Sequence, residues 1–482
     1  MKKTSYLTVT DQFAGAGGSS LGAVAAGAEV VLALNHWKLA VETHQTNFPT
    51  TAHECTDISA CNPRRYPSTD ILITSPECVN HSIAKGQRRT HQTQMGLWEQ
   101  TPLDPAEERS RATMWDVPRF ADYHDYRLII VENVVDARHW RLFDAWLKAM
   151  HALDYHYQIV YLNSMFVPPT PQSRDRMYVV FHKRGNRAPD LHICPKAYCD
   201  TCDRHIEAVQ SWKNPLKKWG RYGRRRQYVY RCPACASDVT PFYAAAATAI
   251  DWTHPLSLIG ARKKPLKDRT IRRIEAGLQK YHQTGLLQVT TDTRMAVVTP
   301  PFVVITSHVQ EDDDGTRTSC VFSPIPTQTT CQDQALVLPY MVDLLWEHRV
   351  RGMDEPLSTV VAGGNHQALM LAPAEPAPGS FLVSYYGQNC LHSTADPVGT
   401  ITTRDRHALV IPTAPSRLPR VEDCSFRMLQ PSEVGRAMAF PATYTVLGNS
   451  RQQVRQYGNA VTPPVMTLLL ERCIASLEGG TR

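Results

Sequence analysis

An α/β fold built on an open parallel sheet is predicted by three features of the first 185 residues. Short, continuous apolar runs recur at YLTVT, VVLALN, ILIT and LIIV, as strands buried on both faces require. A glycine turn and an alanine-rich stretch, AGAGGSSLGAVAAG, join the first two runs in the strand–turn–helix–strand order of a βαβ unit. The later runs end in a cysteine or an acid, at the carboxyl edge where open α/β sheets build their sites.

In the first unit, Gly15, Gly17 and Gly18 allow a tight turn and close approach of a ligand, and the helix after them offers free N–H groups. The second run ends at Asn35, where an acid often binds a ribose. The third is closed by Ser75-Pro76-Glu77 and delivers Cys78. The fourth delivers Glu132 and Asn133. A nucleophile and an acid at adjacent strand ends form a catalytic pair.

Together these residues resemble the DNA (cytosine-5)-methyltransferase family. Phe13-Ala14-Gly15-Ala16-Gly17-Gly18 is similar to its first motif, Asp57-Ile58 to its third and Pro76-Glu77-Cys78 to its Pro-Cys loop. Glu132-Asn133-Val134 is identical to its ENV signature, and Gln172-Ser173-Arg174-Asp175-Arg176 matches its Gln-x-Arg-x-Arg element. RMLQPSEVGRAMAFP and RQYGNAVTPPV are similar to its last two motifs. The resemblance implies a Rossmann-like, S-adenosylmethionine-dependent methyltransferase domain. Its cofactor would be bound by Phe13, Gly15, Gly17, Gly18, Leu21, Asn35, Trp37, Asp57, Ile58, Pro76, Asn459 and Val461. Cys78, Glu132, Arg174 and Arg176 would be catalytic. The chain departs from the family at Glu77, usually proline, at Val79, usually glutamine, and at Asn35, usually an acid.

The chemistry explains the residue types. C6 of cytosine is a poor electrophile, so a thiolate, Cys78, must add there to make C5 nucleophilic. Glu132 would protonate N3, and Arg174 and Arg176 would hold the base and steady the developing charge. A stacked base is out of reach, so the target must be flipped from the duplex. The polar, basic stretch 83–104, with Lys85, Arg88 and Arg89, reads either as a loop that closes over DNA or as solvated surface.

A chain of 482 residues exceeds a single core, so two or more domains are expected. The net charge of +7 is modest. No signal peptide is visible and no apolar run looks long enough to span a bilayer, which predicts a cytoplasmic protein of a bacterial or phage-infected cell, without membrane contact and monomeric. Thirteen cysteines in that setting are expected as thiols, a nucleophile or metal ligands rather than disulfides.

Four of them form two Cys-x-x-Cys knuckles, Cys199/Cys202 and Cys232/Cys235, the spacing of a structural zinc ribbon, with Cys194 near enough to compete. Between the knuckles WKNPLKKWGRYGRRR interleaves seven basic residues with Trp212, Trp219 and Tyr222, a candidate contact for the DNA backbone by charge and stacking. Ile271, Ile274 and Leu278 mark a basic helix. Beyond residue 285 a β-rich unit repeats around Ala296, Ala335, Ala368 and Ala408. Its polar turns, Asn365-His366 and Arg404-Asp405-Arg406, either read base edges or merely close the repeat.

The predicted division is a catalytic segment at 1–185, a zinc ribbon at 190–245, a target-recognition region at 246–424 and a catalytic return at 425–482. The predicted function is a DNA cytosine-5 methyltransferase acting on double-stranded DNA. The alternatives are an RNA cytosine-5 methyltransferase and a catalytically weak DNA-binding protein that retains the fold.

Overall fold

The computed structural model describes residues 6–76, 113–276 and 420–478, apart from a few single residues and side chains, and the backbone of strands between 288 and 410. A seven-stranded sheet organises the first part. Its strands are β1 (Thr8–Gln12), β2 (Glu29–Asn35), β3 (Ala52–Cys55), β4 (Ile71–Thr74), β5 (Leu128–Asn133), β6 (Tyr155–Asn163) and β7 (Asp175–Lys183). They lie in the order β3-β2-β1-β4-β5-β7-β6. The pairs among β1–β5 are parallel, and β7 runs antiparallel to both β5 and β6. The order reverses between β1 and β4, and a crevice forms at such a switch point.

Alternation along the strands sorts the core into two layers. Ile71, Ile73, Leu128 and Ile130 face one way, with Val465, Met466, Leu469 and Leu470 of the C-terminal helix. Leu72, Ile129 and Val131 face the other, with Phe120, Phe143 and Trp146. Helix α1 (Gly18–Ala25) and helix α2 (Lys38–Asn47) follow β1 and β2. Helix α3 (Asp116–His124) and helix α4 (Phe143–Ala152) flank β5.

The chain returns to this sheet through α5 (Pro431–Ala437), α6 (Ser450–Asn459) and α7 (Pro463–Glu478). A methyl group built on Gly22 of α1 would lie 2.6 Å from Met466 Cβ, so only glycine permits α7 to pack there. Contrary to expectation, Ser450–Glu478 is long and apolar enough to cross a membrane, with a mean hydropathy of 1.3. More than half of that window is buried, against α1 and the sheet, which gives its apolarity a core role.

The ribbon strands are β8 (Lys196–Cys199), β9 (Arg204–Glu207), β10 (Val209–Trp212), β11 (Tyr228–Arg231) and β12 (Asp238–Val239). Ala197, Ala208, Tyr228 and Tyr230 are buried in the same core layer as Trp146 and Phe181, so the ribbon shares the sheet's core instead of standing apart. A further seven-stranded sheet joins Ser257–Leu258, Ser425–Met428, Ala335–Val337, Phe381–Tyr386, Thr318–Cys320, Phe302–Ser307 and His407–Val410. The strand at Ser425–Met428 therefore belongs to the insert's sheet, a few residues beyond the expected boundary. The four repeat alanines fall in strands, but Ala335 and Ala408 join this sheet while Ala296 and Ala368 pair elsewhere. Ile274 of the basic segment is fully buried.

Candidate active site

The first motif wraps the end of β1. Phe13, Gly15 and Gly17 have φ of 57°, 55° and 87°, the left-handed region that glycine tolerates and phenylalanine rarely adopts. The glycines serve different neighbours. A methyl built on Gly15 would meet only the Phe13 carbonyl, at 3.8 Å, which leaves that backbone open to a ligand. On Gly17 it would meet Tyr444 Oη at 2.5 Å, and on Gly18 the Val461 carbonyl at 2.1 Å. Gly17 and Gly18 thus admit the returning C-terminal segment, where local reading expected cofactor approach. Gly18→Ala is expected to push that segment off α1, destabilising the fold by about 1–3 kcal/mol in chemical denaturation.

Beneath the turn, Asp11 accepts hydrogen bonds from Ser19 Oγ at 2.5 Å and Ser20 Oγ at 2.6 Å, tying the first turn of α1 to β1. His44 Nε2 meets Ser20 Oγ at 2.8 Å and His44 Nδ1 meets His53 Nε2 at 2.7 Å. Burial raises the Asp11 carboxyl to about 6 and lowers His44 to about 3. The two act oppositely on stability. The raised Asp11 loses its contribution as pH climbs from about 4 to 6, and the depressed His44 loses its own as pH falls from about 6.5 to 3. Replacing His44 by glutamine should remove only the second effect. The stability of the variant relative to the wild type is therefore expected to rise by about 1.4 kcal/mol per unit as pH falls below 6.5, measured by denaturation at several pH values. A flat difference across that range would contradict a buried neutral His44.

Several buried polar atoms at this edge have no partner among the described residues: Asp11 Oδ1, both amide atoms of Gln12 and Gln172, Thr74 Oγ1 and Ser75 Oγ. Buried groups of this kind normally bond something, so they fit a crevice that receives a polar ligand. Of the other expected cofactor residues, Asn35 accepts from the Trp37 N–H at 2.9 Å, and Arg455 of α6 lies over the Trp37 ring at 4.7 Å. Asp57 caps its own loop through the Ser59 N–H at 3.1 Å. Ile58 is buried, its carbonyl bonded by Arg119. Leu21 is half-buried, Asn459 is exposed at the end of α6, and Val461 packs on Gly18.

Cys78, with Glu77 and Val79, lies outside the described residues, as does the stretch 83–104. Its approach is nevertheless held: Asn133 Nδ2 donates to the Pro76 carbonyl at 3.3 Å. Asn133 was not singled out for this role, although its position next to Glu132 in ENV marks it. Glu132 is largely buried, and Arg176 Nε meets its Oε1 at 2.9 Å. The register explains the pairing, since Asn133 lies opposite Met177 and puts Arg176 at the same edge. Arg174, expected with Arg176 to hold the base, donates to the Gly458 carbonyl at 3.2 Å and the Ala460 carbonyl at 3.0 Å, across to the C-terminal return. Asn163 supports it by accepting from the Arg174 backbone N–H at 3.0 Å.

The four knuckle cysteines converge, with all sulfurs within 4.8 Å of one another. Cys199 Sγ lies 3.5 Å from Cys235 Sγ, and Cys202 Sγ 3.9 Å from Cys232 Sγ. A tetrahedral ion with metal–sulfur bonds of about 2.3 Å sets such edges near ~3.8 Å, so the donor set fits zinc. Cys194 is outside the cluster and contacts His192 Nδ1 at 3.3 Å.

The aromatic residues of the basic hairpin are half-buried, each meeting a neighbouring ring edge to face. Trp212 packs on Tyr161, Trp219 on His139 and Tyr222 on Phe166, with ring centroids 5.8, 4.6 and 4.7 Å apart. Arg221 pairs with Asp136 at 2.6 Å, and the Tyr222 N–H donates to Asp175 at 3.0 Å. Asp175 is half-buried, and desolvation raises its carboxyl to about 6. The hairpin is thus bolted to the segments that carry Glu132 and Arg176, while Lys213, Lys217, Lys218, Arg224 and Arg225 remain exposed.

The model of the C-5 cytosine-specific DNA methylase family matches residues 7–218 and 369–475. The type II methyltransferase M.HgiDI of Herpetosiphon aurantiacus is 29% identical over 182 residues, 37% of this chain and 53% of that protein. The type II methyltransferase M.HhaI of Haemophilus parahaemolyticus is 29% identical over 184 residues, 37% of this chain and 50% of that protein. The chain thus spans about half the length of these curated relatives. Among solved structures, a DNMT2 mutant of Spodoptera frugiperda aligns with 98% of this chain and 100% of its own at 14% identity, with a TM-score of 0.48. A putative DNA modification methyltransferase encoded within an E. coli prophage aligns over the same shares at 14% identity, with a TM-score of 0.45.

Proposed function

The chain belongs to the C-5 cytosine-specific DNA methylase family, and from that premise we propose that it methylates C5 of a cytosine flipped out of duplex DNA. The observation that carries the reading is the convergence of Glu132, Arg176 and the Pro76 approach to Cys78 at adjacent strand ends. S-adenosylmethionine, when bound, supplies an electrophilic methyl group. The open backbone at Gly15 and the unpartnered Gln12 and Thr74 support binding at the end of β1.

In this account the Cys78 thiolate bonds to C6 of the target ring, and the displaced electron density is met at N3 by a proton held by Glu132. Arg176 fixes the Glu132 carboxyl from the side. C5 gains the methyl group as its bond to the sulfonium sulfur breaks, the N3 proton returns to Glu132, the C5 proton leaves to a base, and the Cys78–C6 bond breaks to restore the ring. Arg174 also anchors the returning segment through the Gly458 and Ala460 carbonyls.

The four-cysteine cluster is assigned a structural zinc. Purified protein is expected to contain about one zinc per chain, and Cys232→Ser to lose it together with thermal stability. Freshly purified, unchelated protein without metal would remove zinc from this reading. The repeats at 289–412 are assigned target recognition, and their turns at Asn365-His366 and Arg404-Asp405-Arg406 lie outside the described residues. A bacterial or phage-infected cytoplasm is the setting that suits a reaction on DNA. The function is tested by incubating the chain with methyl-labelled S-adenosylmethionine and matched DNA and RNA duplexes: label on cytosine C5 of DNA supports it, and label on RNA alone overturns it.

A further inference from the structure

The hairpin tip carries Leu216, the most exposed large apolar side chain among the described residues, with 97% of its surface in solvent. We propose that Leu216 seats against the minor groove of duplex DNA beside the flipped base, while Lys213, Lys217 and Lys218 hold the flanking phosphates; this rests on the DNA reading above.

Position supports the contact. The base of the hairpin is fixed by Arg221 on Asp136 and Trp219 on His139, in the short helical turn Val135–His139 that follows Glu132 and Asn133. The hairpin is therefore rooted at the carboxyl edge of the sheet, the edge that takes the target base in the reading above. Rigidity supports it as well. Asn214 Oδ1 accepts from the Leu216 N–H at 2.9 Å, and the Asn214 carbonyl from the Lys217 N–H at 3.0 Å. Lys217 lies 4.3 Å from the Trp219 ring centre, and Lys213 donates to the Arg224 carbonyl, joining the two arms. A braced loop that presents an apolar side chain without covering it loses little entropy when that side chain is buried by a partner. Charge selects the partner: residues 212–227 contain seven cations and no acid, which suits a polyanion. Apolar side chains presented among cations contact sugars and base steps in the minor groove.

The test is binding to a mixed-sequence duplex by fluorescence anisotropy across a salt series, with methylation of the same duplex measured in parallel. An apolar contact releases no counterions. Leu216→Ala is therefore expected to weaken binding roughly tenfold at every salt concentration with an unchanged slope. Changing Lys213, Lys217 and Lys218 to glutamine is expected to flatten the slope by about two to three. Leu216 has no packing to lose, so its variant should melt as the wild type does. A wild type that neither binds nor methylates the duplex overturns the function and this contact with it. A wild type that does both, beside a Leu216→Ala variant of equal affinity, overturns the contact alone.

Discussion

Replacing Cys78 by alanine is expected to lower methyl transfer by about four to six orders of magnitude, because the bond to C6 is assigned to its thiolate. Binding of DNA and cofactor should survive, since neither depends on the thiol. A duplex with 5-fluorocytosine at the target should trap the wild type covalently, because fluorine cannot leave from C5 as a proton does. The trapped species should vanish in Cys78→Ala and form slowly in Glu132→Gln, where the carboxyl that Arg176 holds at 2.9 Å is gone. Mass spectrometry of the denatured protein reads all three. Equal trapping by Cys78→Ala would assign the nucleophile elsewhere.

The second large effect falls on stability, at the junction of the insert and the returning segment. Arg427 and Glu433 form a buried two-pronged pair, with Nη1–Oε2 and Nη2–Oε1 both 2.8 Å, and Glu433 has no exposed surface. Glu433 also accepts from the Gln430 N–H at 2.7 Å, closing the cap of α5, and from the Asp251 N–H at 2.8 Å. Glu433→Ala would leave the Arg427 guanidinium buried without its partner, a change expected to cost about 3–5 kcal/mol. Replacing the pair together, as Arg427→Met with Glu433→Leu, should recover much of that loss, because no charge then remains buried. Chemical denaturation of the single and double variants provides the check. A single-variant loss below about 1 kcal/mol would mean that the pair behaves as an exposed one.

The strands of the first sheet were legible because burial on both faces writes continuous apolar runs, and their ends carry Cys78 and Glu132 in the sequence itself. The ENV and Gln-x-Arg-x-Arg elements could be read as motifs, but the separate duties of Arg174 and Arg176 could not. Which way the Arg174 guanidinium turns depends on Gly458 and Ala460, nearly three hundred residues later. The same limit applies to Gly18, whose neighbour is the Val461 carbonyl. The inward contacts of Trp212, Trp219 and Tyr222 could not be read, because aromatics among cations have the same composition whichever way they face. Their rings pack on Tyr161, His139 and Phe166. Cysteine spacing, in contrast, is a local signal, and the four knuckle sulfurs meet. The Asp11–Ser20–His44 chain was missed, although an aspartate inside an apolar strand, just before a glycine turn, is a signal that a buried partner exists.

The measurement that bears most directly on the central claim is nucleoside mass spectrometry, with bisulfite sequencing, on DNA from cells expressing the wild type or Cys78→Ala. The account predicts 5-methyldeoxycytidine at a recurring sequence in the first and none above background in the second. Methylation at an exocyclic nitrogen, or 5-methylcytosine that persists without Cys78, would contradict it.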